Sequence, residues 1–195
     1  MDEALTLLGD LADRLLGDVE DRAAAARLAV VAQSAGTDGV AALLSLARLI
    51  GEAAEVEAMT VALASATADE VLTRVALFVV ACFAAVRADY PTRQDAVAAR
   101  IYIAATADAL YPLAAPAGPD AVDFVVRLAG SVVTGLSALA TSRAPLVRVE
   151  INMSAPSALM AWQMYADPAR GAEIVRRNRV ATPMLMPAAF EAPAT

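Results

Sequence analysis

The sequence predicts an all-α fold: a helical bundle with a short extended segment at about 145–152 and an extended C-terminal arm. Three observations carry this. Of the 195 residues, 50 are Ala, the strongest helix former, and only 5% are aromatic. Apolar residues recur at steps of three and four along most of the chain. Capping residues and Gly or Pro breaks punctuate these runs at helix-length intervals. With 59% hydrophobic residues and a mean hydropathy of +0.56, the chain has ample apolar surface to bury, so disorder is excluded for most of it. The length suits one domain with a small appendage, divided as a helical body over 1–144, a connector with a short helical pair over 145–182, and an arm over 183–195.

The first helix is expected over 3–16, where Leu5, Leu8, Leu11 and Leu15 fall on one face. Gly17 breaks it and Asp18 caps a second helix running to about residue 35. The turn Gly36-Thr37-Asp38-Gly39 offers Thr37 or Asp38 as the next cap, and the helix that follows can continue toward residue 64. Thr67-Ala68-Asp69-Glu70 resembles a capping box opening a helix over 71–89, apolar nearly all round and so expected at the centre of the core. Tyr90-Pro91 ends it.

Thr92-Arg93-Gln94-Asp95 caps a helix reaching about Tyr111, and Pro112, Pro116 and Gly118-Pro119 form a stiff loop. Asp120 caps a long amphipathic helix with Phe124, Leu128, Val132 and Leu136 as its stripe and Asp123, Arg127, Ser131 and Thr134 opposite. Residues 146–151 alternate apolar and charged side chains, the one strand-like stretch. A lone strand either stays an extended connector or pairs with another chain. Short helices over 157–165 and 168–177 follow, the second begun by Asp167-Pro168. Three prolines and no periodicity make 183–195 an arm.

All 15 basic residues are Arg, and His is absent. That removes His general bases and ligands together with Lys nucleophiles and phosphate-loop chemistry. Cys82, alone in an apolar helical run, forms no intramolecular disulfide or Cys-based zinc site and is expected as an inert core thiol. The acidic start Met1-Asp2-Glu3 does not resemble an export signal, and the apolar run 75–86 is too short for a bilayer span. The expectation is a soluble protein made and kept in a reducing compartment, or released by cell lysis. A net charge of −7 argues against DNA contact. The charge is uneven, with acids at Asp2, Glu3, Asp10, Asp13, Asp18, Glu20 and Asp21 and a basic cluster at Arg170, Arg176, Arg177 and Arg179.

No catalytic, cofactor or metal motif is present. Glu52, Glu55 and Glu57 lie close together without aromatic sugar platforms and read as a solvated face, as does Asp108. Arg176-Arg177-Asn178-Arg179 could grip phosphates, but without interleaved aromatics it suits a protein contact or a helix C-terminus better.

The last forty residues carry a more specific pattern: Pro156, then Ala161-Trp162-Gln163-Met164-Tyr165-Ala166-Asp167, then Glu173-Ile174-Val175-Arg176-Arg177-Asn178-Arg179-Val180, then Pro183 and Pro187. This series resembles the C-terminus of the Mu-type phage DNA circularisation or tail (baseplate hub) protein family, where an aromatic LAYxLYGD segment precedes EIVxRNRI and a proline. Thr92-Arg93-Gln94-Asp95-Ala96-Val97 and Asp108-Ala109-Leu110-Tyr111 are similar to upstream segments of that family. Ala166 stands where the family has Gly, and Ala181-Thr182-Pro183-Met184-Leu185 where it has RHPGF. The family's β-rich N-terminal domain has no counterpart, so the chain resembles the helical C-terminal part standing alone.

The resemblance implies a virion structural subunit in a tail or baseplate, assembled in the host cytoplasm, with other tail proteins as partners and a homo-oligomer or ring as its state. The residues themselves give no expectation of an enzyme, a cofactor or a membrane span, which agrees with a structural role. A helical adaptor handling phage DNA ends and a helical ligand-binding or lytic protein are the alternatives. The residues expected at interfaces are Trp162, Tyr165, Asp167, Arg177, Asn178, Arg179, Pro183 and Pro187. Trp162 and Tyr165, three apart on one helix, are expected to pack the helical pair onto the body, with exposed docking as the alternative. Asn178 is expected to end its helix in a left-handed turn, and Arg177 and Arg179 to grip Asp10, Asp13, Asp18 or Asp21 of a neighbour, with 183–195 lying over that neighbour. An exposed pair within the chain is the alternative.

Overall fold

The structure, a computed structural model, describes residues 1–194. It is 73% helical, with nine α-helices and one two-stranded sheet among the described residues, an all-α protein as the sequence predicts. The elements are α1 (Asp2–Leu15), α2 (Val19–Ala32), α3 (Thr37–Ala53), α4 (Val56–Ser65), α5 (Val71–Arg87), α6 (Arg93–Ala114), α7 (Pro119–Ser142), β1 (Leu146–Glu150), α8 (Ser157–Tyr165), α9 (Gly171–Asn178) and β2 (Ala189–Pro193). The chain forms two compact units. One is Met1–Asp89 with Ala98–Ser137, and the other is Tyr90–Val97 with the chain from Ala138 onward.

In the first unit α3 packs against α2 and α5, and α1 and α4 close around them. Leu8, Leu16, Leu43, Leu46, Ile50, Met59 and Val80 are fully buried in one core, each apolar side chain contributing about 1.5–3 kcal/mol of burial. The approach of α3 to α5 is close enough that a Cβ on Gly51 would lie 2.6 Å from the Phe83 side chain. The helix expected to continue toward residue 64 instead breaks at Ala54–Glu55. The Glu55 carboxylate accepts from the Ala58 amide (2.9 Å) to open α4, and Arg87 donates to the Gly51 and Ala54 carbonyls (2.6 and 2.7 Å) to close α3. Asp18 caps α2 as expected, accepting from the Glu20 amide at 2.7 Å. Gly36, rather than Thr37 or Asp38, is the N-cap of α3.

The cap of α5 comes from far away in sequence. The expected box of Thr67 and Glu70 does not form. Instead Glu3, on α1, accepts hydrogen bonds from the Asp69 amide (2.9 Å), the Glu70 amide (2.8 Å) and the Thr73 hydroxyl (3.0 Å). Those amides, Asp69 foremost, hold the Glu3 carboxyl below its ordinary range. The terminal ammonium of Met1 pairs with Glu70.

α6 extends through Pro112, past the expected end at Tyr111. The stripe of α7 turns slightly from the expected one: Val125, Ala129, Val132, Leu136 and Ala140 are buried, whereas Phe124 and Leu128 are half-buried against the core. The run 75–86 is too short to cross a membrane, whereas α7 is long and apolar enough by length and composition, with a mean hydropathy of 1.6. Its outer face carries the Asp123–Arg127 ion pair (2.9 Å) and exposed Ser131 and Thr134.

The second unit contains the sheet. β1 pairs antiparallel with β2, Arg148 opposite Glu191 and Val149 opposite Phe190. The strand-like stretch at 146–151 therefore finds its partner in the arm of its own chain, not in a neighbour. Ala155, Met160, Ala161, Ile174, Met186, Phe190 and Ala192 form a small separate core beneath it.

Candidate functional site

Of the segments singled out by the resemblance, Asp108–Tyr111 lies in the first unit and the others lie in the second, where the start of α6 meets the end of α9. Thr92 and Asp95 form the expected N-terminal cap. The Thr92 hydroxyl donates to Asp95 Oδ2 at 2.6 Å, and the Asp95 amide donates back to Thr92 Oγ1 at 3.3 Å. Arg177 then meets this cap edge-on, with Nη1 3.2 Å from Asp95 Oδ1 and Nη2 2.7 Å from Oδ2. Burial by itself would raise the Asp95 carboxyl, but the hydrogen bonds from Arg177 and Thr92 and the guanidinium charge outweigh it and hold it low. The same bond raises Arg177 above its ordinary value. For Arg177, Asp95 of the same chain is the partner rather than Asp10, Asp13, Asp18 or Asp21. The side chains of Arg177 and Asp95 are 15% and 32% exposed, so the pair is partly screened from water.

Asn178 does not end the helix by turning left-handed. It is the last residue of α9, and Arg179 after it adopts the left-handed conformation (φ 51°). The Asn178 amide behaves instead like a piece of strand. Its Nδ2 donates to the Glu191 carbonyl (2.8 Å) and to the Ile174 carbonyl (2.9 Å), and its Oδ1 accepts from the Glu191 amide (2.7 Å). One side chain thereby ties the C-terminal arm to α9. Gln94 makes the corresponding contact with β1: its Oε1 accepts from the Leu146 amide (2.7 Å) and its Nε2 reaches the Leu146 carbonyl (3.4 Å).

The expected shared face of Trp162 and Tyr165 is split. Tyr165 is half-buried, donates to the Pro193 carbonyl (2.8 Å) and lies 3.7 Å beneath the Arg170 guanidinium, which also pairs with Glu173 (3.1 Å). Burial raises the Tyr165 hydroxyl. Trp162 is 57% exposed, so it does not pack the helical pair onto a core. Asp167 caps the following turn through the Ala169 amide (2.9 Å). Pro183 lends its carbonyl to the Ser157 amide (2.7 Å), and Pro187 is exposed next to buried Met186. Ala166, where the resembling family has Gly, is left-handed (φ 57°), a conformation that favours glycine. Gly171 allows α9 to reach α8, since a Cβ there would lie 2.9 Å from the Ala158 amide nitrogen.

The chemistry of this arrangement is that of a joint. The Arg177 Nη atoms, the Asp95 carboxylate and the Asn178 and Gln94 amides are engaged with backbone or with each other, while Arg177 Nε and Glu173 Oε1 are buried without a hydrogen-bond partner. Arg176 and Arg179 face solvent, and no His/Cys/Asp/Glu group among the described residues could hold a metal. Glu52 pairs with Arg48 (2.7 Å) and Glu55 is a helix cap, which accounts for two of the three clustered acids. Cys82 is buried, and burial pushes its thiol up to about 12. What sequence reasoning missed were Asp95 and Gln94 as partners of segments 82 and 52 residues away. The capping motif at Thr92 was the available signal. No protein-family model matches the chain, and no curated protein matches it.

Proposed function

We propose that this chain is a virion structural subunit of a contractile or Mu-like phage tail, in or near the baseplate hub, and that it works by protein–protein assembly. The observation that carries the reading is Trp162. A large aromatic side chain, 57% exposed, stands on a helix whose neighbours are locked by the Arg177–Asp95 and Asn178–Glu191 contacts. Exposed aromatics on a rigid frame are the usual anchors of protein interfaces. Leu159, one turn earlier on α8, is 43% exposed and adds apolar surface beside such an anchor.

The test is mass spectrometry of purified particles from the phage or prophage encoding the chain. Its peptides are expected in the tail fraction, and their absence overturns the proposal. Complementation with Trp162→Ala is expected to give a folded protein that fails to incorporate; normal incorporation removes Trp162 from the interface.

The exposed Arg176 and Arg179 favour a second reading, an adaptor on phage DNA ends. The second unit holds seven Arg against five acids, whereas the first holds eight Arg against 17 acids. A gel shift at physiological salt that is lost in Arg176→Ala/Arg179→Ala would select this reading.

A further inference from the structure

We propose that the outer face of α2 is a self-association surface that pairs with α2 of a second copy of this chain, antiparallel. The helix is apolar on both sides. Its inner side buries Ala25 and Ala32 against the core, yet Val19 and Val30 on the outer side are 78% and 67% exposed. Between them Ala23 and Ala26 are also exposed. The steps from 19 to 23, 26 and 30 are four, three and four, the seam spacing of a two-helix coiled coil. Small residues at the centre of the seam and Val at its ends let two backbones approach closely at mid-helix.

The flanking charges select both the occupant and its direction. Glu20 and Arg27 border one edge of the seam, and Arg22 and half-buried Ala29 border the other. Neither Glu20 nor Arg27 takes part in an ion pair among the described residues, and Arg22 is tied through Nε to the Leu16 carbonyl (2.6 Å). Two α2 helices laid antiparallel stack Val19 on Val30 and Ala23 on Ala26 of the second copy. Each Glu20 then faces an Arg27 across one edge, and each Arg22 lies over an Ala29 across the other. Laid parallel, the same helices bring Arg22 against Arg27 twice. The seam is complementary to itself in only one direction, which is the property of a two-fold interface. This inference does not rest on the tail reading.

Sedimentation velocity on the full chain, from about 1 to 200 μM, is expected to show a monomer–dimer equilibrium, because a single 14-residue helix per copy makes a small interface. Ala26→Arg, at an exposed position, is expected to leave the circular dichroism melt unchanged and to abolish the dimer. Glu20→Arg is expected to weaken the dimer by about tenfold, and Glu20→Arg with Arg27→Glu to restore it. An equimolar mixture of Ala23→Cys and Ala26→Cys chains is expected to give a mixed disulfide, since Cys82 is 1% exposed and stays silent. A monomer throughout the concentration range overturns the proposal. So does a dimer indifferent to Ala26→Arg, or an Ala26→Cys chain that cross-links to itself in preference to the mixed pair.

Discussion

The two units of this chain are specified by different forces. The first is held by apolar helix faces: a core running from Ala4 to Ala84 whose members need only be hydrophobic, suitably sized and correctly phased. The second buries a much smaller cluster and relies on individual polar contacts between segments distant in sequence: Arg177 with Asp95, Asn178 with Glu191, Gln94 with Leu146 and Tyr165 with Pro193. The difference teaches that a small module can substitute geometry for volume. A core tolerates many sequences, whereas a side-chain amide that pairs like backbone tolerates almost none.

Truncation of a core residue is expected to be the largest effect. Leu46→Ala removes a side chain 1% exposed in the first unit, and should cost about 2–5 kcal/mol of global stability in a denaturant titration. Amide exchange in β2 should then change only as far as the whole chain is destabilised. Asn178→Ala tests the opposite case. It removes both hydrogen bonds to the Glu191 backbone, which water can partly replace at this exposed site, and should cost about 0.5–1.5 kcal/mol. Hydrogen exchange should report it as lost protection confined to Glu191 and its neighbours, with the first unit unaffected. If both variants loosen both units equally, the contrast between them is wrong.

What was legible in the sequence follows the same division. Periodicity, glycine breaks and the cap at Asp18 place the helices of the first unit, the cap at Thr92 opens α6 in the second, and α8 falls on its expected residues, because those signals are local. The break at Ala54–Glu55 was missed because it is stabilised by Arg87, more than thirty residues away, and not by a proline or glycine at the break itself. β1 was visible as an alternating stretch, but its partner was not, since residues 189–193 show no matching alternation and pair by position. Trp162 and Tyr165 share a helix and a chemistry, yet only the tertiary contact with Pro193 decides which is held and which is left in water. Of the joint, the types Arg177, Asn178 and Asp167 were singled out; their partners, apart from the local cap at Asp167, required the fold.

The smallest expected effect lies in the first unit and depends on pH. The Glu3 carboxyl is held below its unfolded value, so its contribution is present above the ordinary carboxylate range and is lost as pH falls through the lowered value. Glu3→Gln should therefore be less stable than the parent at neutral pH. The two should converge as pH is lowered from about 5 toward 3, as followed by thermal melts. A constant gap at all pH values would assign the contribution to packing and leave the first unit purely apolar in origin.

The interleaving of the two units along the chain has a kinetic consequence. Ala98–Ser137 separates the two halves of the second unit, so the pairing of Asp95 with Arg177 must close a long intervening stretch. Within the first unit, the Arg100 guanidinium reaches the Ser137 hydroxyl (3.4 Å), at the mouth of the α6–α7 hairpin. A contact between Arg100 and Ser137 formed early would shorten the effective loop between the two halves of the second unit, and the remaining loop-closure entropy would fall with it. Refolding should then proceed in two stages, a rapid helical collapse followed by a slower joining of 90–97 to the late strands, in line with the greater sequence separation of its contacts. The first unit is in this sense the template on which the time of formation of the second depends.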